Sequence, residues 1–226
     1  MNLAKVKLTV NGQSLAVDVL VPGTGPATDV LPALFAVTDA IVDAGTAGLA
    51  VSCRKGCGAC CRQMVPIAFT EAQHLRQLLD RMDDERREFF EQRFAAAREA
   101  LNAKGLLGPL QQRATLSDDA LYALDVEYLK AWVACPFLVD ESCAIHAARP
   151  MACREFLVTS PAEFCAEPTA DRVEQVPLGA KVSTAFRAVA EGGDWIPLVL
   201  ALEESAGTTP AEVDGPSLLT ATLQAL

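Results

Sequence analysis

Four of the chain's eight cysteines fall within nine residues, as Cys53-Arg-Lys-Gly-Cys57-Gly-Ala-Cys60-Cys61. Spacings of three and two residues let one loop wrap an ion, with each sulfur reaching inward. Gly56 and Gly58 supply the backbone freedom such turns need and leave amides free to donate to thiolate sulfur. Arg54, Lys55 and Arg62 surround the group in a chain whose net charge is −10. Neighbouring positive charge lowers a thiol's pKa and favours the thiolate that metals bind.

The remaining thiols, Cys135, Cys143, Cys153 and Cys165, are separated by seven, nine and eleven residues. These gaps are too wide for one knuckle. They suit a turn, a short helix and a loop, each contributing one sulfur. Together the groups supply enough thiolates for two four-sulfur sites, or for one cluster with spare thiols. Three rival readings are weaker. Buried cysteine can serve as a small hydrophobe, but eight at this density exceed that role. A disulfide framework belongs to small secreted domains, whereas the residues here read as having no secretory signal and a sizeable core. A thioredoxin-like pair can be drawn from Cys57-Gly-Ala-Cys60, yet no βαβ pattern surrounds it.

Charged neighbours come next. Arg149 and Arg154 flank Cys153 and are candidates to face a bound cofactor, since a four-thiolate cluster is negative and guanidinium donors raise its reduction potential. An ordinary salt bridge is the competing role. His146 offers an imidazole beside Cys143, but a packing role is preferred because sulfur donors already suffice. His74 reads as a surface residue. Asp140 and Glu141 mark a turn. No phosphate loop, Ser–His–Asp set or carboxylate pair placed for acid–base work is present.

Cys53-x3-Cys57-x2-Cys60-Cys61, Cys135-Pro-Phe-Leu, Cys143-Ala-Ile-His146 and Arg149-Pro150-x2-Cys153-Arg154 together resemble the cysteine-cluster family called YkgJ, over roughly residues 50 to 165. That family commonly has an aromatic residue where this chain has His146, and often one fewer residue between its first two cysteines. The resemblance implies chelation of zinc or iron, and the family is often described as iron–sulfur. Similar cysteine clusters occur in flagellin lysine methylases, a remoter analogy.

The elements that must position these thiols are mainly α-helical. Val6, Leu8 and Val10, then Leu15, Val17 and Val19, alternate on either side of Asn11-Gly12, the signature of a β-hairpin. Residues 29–50 read as a buried helix, with Asp29 as its N-cap and Pro32 in its first turn. Thr70-Glu71-Ala72-Gln73 is a capping-box pattern. Behind it Leu75, Leu78, Met82, Phe89, Phe90, Phe94, Ala97 and Leu101 mark one helical face. Ser117 opens a further helix, with Leu121, Leu124, Tyr128 and Trp132 on its core stripe. A hairpin turn is expected at Asp140-Glu141 and a short helix from Pro150 to Phe156. Val182 to Ala190 and Ile196 to Glu204 also look helical, and the last 20 residues show a weaker apolar pattern.

These elements point to a single domain over 1–226: an N-terminal hairpin extension (1–26), a cysteine-cluster core (50–165) and a C-terminal helical part (170–226). The length and the 51% apolar content suffice for a real core. The acidic balance argues against a nucleic-acid partner. No uncharged apolar run is long enough to span a membrane. Met1 to Val10 does not read as a secretory signal, which implies a reducing, cytoplasmic setting. The expected function is cysteine-ligated iron or an iron–sulfur cluster with an electron-transfer or oxidoreductase role. The alternative is a structural zinc protein acting as an interaction module. A metal ion is the expected partner, and a protein partner is left open.

Overall fold

Asn11 and Gly12 both take positive φ, 50° and 76°, the backbone that a two-residue hairpin turn requires. Strands β1 (Asn2–Val10) and β2 (Gln13–Val21) pair antiparallel across it, with Val6 opposite Val17. The computed structural model describes residues 1–167 and 171–226 of the chain. After β3 (Thr24–Pro26) comes α1 (Leu31–Thr46), which packs on β2. Its cap is Val30 rather than Asp29, and a 3-10 turn, Ala27–Val30, leads into it.

The first cysteine loop follows α1. Strand β4 (Pro66–Ile67) then leads to α2 (Phe69–Asp80) and α3 (Asp84–Ala103). The apolar periodicity from Leu75 to Leu101 runs on unbroken, yet the chain turns between these helices. Asp83 causes the break by capping α3, accepting from the Arg86 N–H at 2.8 Å. The start of α2 also differs from the capping-box pattern at Thr70. Glu71 reaches back to the Ala68 N–H at 3.0 Å. The Phe69 and Thr70 N–H groups donate instead to Glu191, at 2.6 and 2.8 Å. A carboxylate from far along the chain caps this helix, which no local pattern announces.

Helices α4 (Leu107–Gln111) and α5 (Asp118–Ala131) lead to the second cysteine segment. Ser117 caps α5, and Leu124 and Tyr128 are buried as expected. Trp132 is not. It ends the helix in the left-handed region and stands 43% exposed, with the Arg62 guanidinium 4.8 Å from its ring. Strands β5 (Leu138–Val139) and β6 (Ser142–Cys143) then pair across Asp140 and Glu141, both at positive φ. Helix α6 (Met151–Glu155) comes next, and Glu155 fixes the start of α7 (Val182–Glu191) by accepting from the Ser183 N–H at 2.9 Å.

Ile196 to Glu204 is only partly helical. Ile196–Pro197 form β7, paired with β4, and only α8 (Ala201–Glu204) completes an α-turn. Strand pairing and Pro197, which can donate no helical hydrogen bond, hold the first residues extended. Finally β8 (Glu212–Asp214) pairs with β3, and α9 (Gly215–Gln224) ends the order. The fold is mainly α with small antiparallel hairpins, nine α-helices among the described residues. No described helix is long and apolar enough to cross a membrane.

Two groups of buried side chains hold this together. One joins the hairpin to α1, α7 and α9 through Val6, Val19, Leu34, Ile41, Phe186 and Leu219. The other lies under the cysteine segments and includes Leu75, Phe90, Phe94, Tyr128, Phe137 and Leu198. Phe137 is 1% exposed, and its ring centroid lies 5.3 Å from those of both Phe90 and Phe94. Phe137→Ala is expected to cost about 3–5 kcal/mol of stability, readable as a lowered midpoint in urea.

Glu71 is a polar tie at the boundary between these groups. Its buried carboxylate accepts from the Ala68 N–H and, at 2.8 Å, from the Met151 N–H at the start of α6. Burial pushes its pKa up from 4.5 to about 7. Between those values the folded protein keeps a proton that the unfolded chain releases, so stability falls as pH rises. The fall amounts to roughly 3 kcal/mol, complete once pH passes the folded value. Urea denaturation of metal-free protein across this range should show Glu71→Gln declining less steeply than the parent. Parallel declines would exclude Glu71 as the source.

Candidate metal centre

The first cysteine loop is shaped by backbone bonds at both ends. Ser52 donates its N–H to the Val158 carbonyl at 2.9 Å and its hydroxyl to the Thr159 carbonyl at 3.1 Å, anchoring the entry. Gly56 takes φ of 87°, which a residue with a side chain adopts only at a cost. Residues Ala59–Arg62 then close into a 3-10 turn carrying Cys60 and Cys61. Gly58 has a different reason to be glycine. A Cβ there would lie 2.5 Å from Glu141 Oε2 and 2.7 Å from Leu138 Cδ1.

The second segment docks on the first through the Cys135 N–H, which donates to the Cys61 carbonyl at 2.7 Å. From behind, Arg93 of α3 donates to the Pro136 carbonyl at 2.7 Å. The β5–β6 turn presents Cys143, and the first turn of α6 presents Cys153. A 3-10 turn, Ala162–Ala166, carries Cys165 against the Ala59–Arg62 turn.

All eight cysteines line one cavity of about 790 Å³. The rest of its wall is largely apolar, including Met64, Val65, Phe156, Leu157 and Leu198. Every cysteine thiol is free. Among the described residues no three Cys, His, Asp or Glu side chains already form a cage for one ion.

Their chemistry suits a soft metal. Backbone N–H groups donate to sulfur at three places: Val158 to Cys53, Phe137 to Cys135, and Ile145 to Cys143. Such donors favour the thiolate over the thiol. Burial works the other way, pushing Cys135 up to about 12 and Cys165 up to about 11, and raising Cys53, Cys143 and Cys153 as well. The Cys61 thiol donates to Cys60, which lowers the pKa of Cys60 and raises that of Cys61. Thiols held protonated by burial, yet already supplied with N–H donors, gain most from a cation that replaces their protons.

The two flanking arginines have separate placements. Arg149 lines the cavity, half-buried, and touches the His146 ring nitrogen. Burial lowers its pKa, while the charges of Cys153 and Cys143 act to raise it. Arg154 does not line the cavity. Its guanidinium donates to Asp39 at 2.6 Å and to the Arg149 carbonyl at 2.9 Å, and lies 4.4 Å from the centre of the Phe35 ring. His146 also lines the wall, with one ring nitrogen taken by Arg149.

The residue pattern missed one clasp. Arg62 donates to both oxygens of Glu141, at 2.9 and 2.6 Å, and to the Gly58 carbonyl at 2.9 Å. This fork pins the first cysteine loop to the β5–β6 turn beneath Trp132. The only local signal was the opposite charge of two residues far apart in sequence. The apolar wall had no signal at all.

No curated protein and no solved structure matches the chain. A family model does, over residues 52–170, and its description is "Putative zinc- or iron-chelating domain". That span holds every cysteine of the cavity and more than half of the chain, so the chain belongs to the CxxCxxCC family of zinc- or iron-chelating domains.

Proposed function

We propose that the cavity binds iron through cysteine thiolates as an iron–sulfur cluster, and that the protein serves electron transfer or a redox reaction in the cytoplasm. The observation that carries this is the gathering of eight thiols from distant segments onto one roomy, mostly apolar cavity. A polyatomic cluster takes up more of such a cavity than a lone ion does. An iron–sulfur cluster would supply one-electron chemistry when bound. The chain's own residues do the rest. The N–H groups of Val158, Phe137 and Ile145 stabilise the sulfurs, Arg149 offsets negative charge, and the apolar wall limits water.

A structural zinc site is the second reading, favoured by the knuckle spacing of Cys57 and Cys60. In that case the domain is an interaction module and the metal ties its loops together.

Protein purified without oxygen is expected to be brown, with sulfur-to-iron charge-transfer absorption and both iron and acid-labile sulfide on analysis. Colourless protein with stoichiometric zinc would reverse the order of the two readings. Cys60→Ser and Cys61→Ser are each expected to lower metal content at least tenfold under either reading, as loss of a ligand should. Full metal content in both variants would remove these residues from the ligand set.

A further inference from the structure

The Ala59–Arg62 turn meets two different segments of the chain. It packs against the Ala162–Ala166 turn, which carries Cys165. The chain entry before Cys53 is tied to the stretch leading to that turn, because Ser52 bonds to the Val158 and Thr159 carbonyls. The Cys61 carbonyl accepts from the Cys135 N–H, and the β5–β6 turn and α6 follow in the chain. The Cys61 thiol donates to Cys60, so the sulfurs of the adjacent pair meet within the cavity.

The charges acting on each thiol fall into two sets. Cys53 feels Cys57 and Cys60, and Cys165 feels Cys53, Cys60 and Cys57. Cys61 feels Cys60, Cys135 and Cys153, while Cys153 feels Cys135, Cys60 and Cys143. Only Cys60 recurs in both groups. The cavity, about 790 Å³, is far larger than one ion needs.

We infer that the cavity holds two metal centres, the first bound by Cys53, Cys57, Cys60 and Cys165 and the second by Cys61, Cys135, Cys143 and Cys153, with Cys60 on the border. This rests on the metal-binding reading and adds to it the number of centres and the ligands of each. Each centre takes four thiolates, and each thiol gives up its proton to solvent as metal enters. The backbone-adjacent pair Cys60–Cys61 then serves both centres, which explains why two cysteines stand side by side.

Cobalt(II) titrated into reduced, metal-free full-length protein without oxygen tests this, followed by thiolate-to-cobalt charge-transfer absorption. Zinc content after equilibration gives an independent count. The expected endpoint is two metals per chain. Cys165→Ser and Cys143→Ser should each fall to one, the double variant to none, and Cys60→Ser should alter the spectrum of both centres. One metal per chain in the parent would overturn the proposal. So would loss of all metal from either single variant whose circular dichroism is unchanged. The parent endpoint decides the matter even if a variant fails to fold. A parent that takes up neither cobalt nor zinc would instead sink the metal-binding reading beneath it.

Discussion

One backbone hydrogen bond, from the Cys135 N–H to the Cys61 carbonyl, joins the two halves of the site. Thiols are weak donors and acceptors, and they cannot by themselves hold two distant segments together. The peptide groups beside them do that work. Arg93 restrains the carbonyl next to Cys135, and Phe137 anchors the following residue among Phe90 and Phe94. The Arg62–Glu141 fork closes the same junction from the solvent side. The meeting of the two segments is therefore set by bonds and packing that contain no sulfur.

Charge is distributed to suit this arrangement. The chain is acidic overall, yet Arg54, Lys55 and Arg149 line the cavity. Glu141, the carboxylate among the lining residues, is engaged by Arg62. A negative group bound there would sit among cations within an otherwise repelling field. Burial opposes ionisation of the thiols, so cations and N–H donors are the local means of reversing that preference.

What could be read from the residues was whatever depends on near neighbours. Asn11-Gly12 and Asp140-Glu141 specify their turns through positive φ, and Ser117 caps its own helix. The cysteine spacing and the family resemblance foretold a metal-chelating domain. What could not be read were partners chosen across the fold. Glu191 caps α2 from far along the sequence, Asp39 takes Arg154 away from the cavity, and the β4 pairing straightens Ile196. Trp132 had the period of a core residue but stood at the helix end, where a left-handed residue turns it outward. The break between α2 and α3 fell inside an intact apolar stripe, because Asp83 outweighs a periodicity that continues on either side of it.

The two apolar groups described for the fold have no cysteine among their buried members. Small zinc fingers lack such a core and unfold when stripped of their ion. Here the scaffold has its own reasons to stay folded. Folding of the walls therefore does not rest on the sulfurs alone, and a cage can be kept in shape by packing that lies outside it.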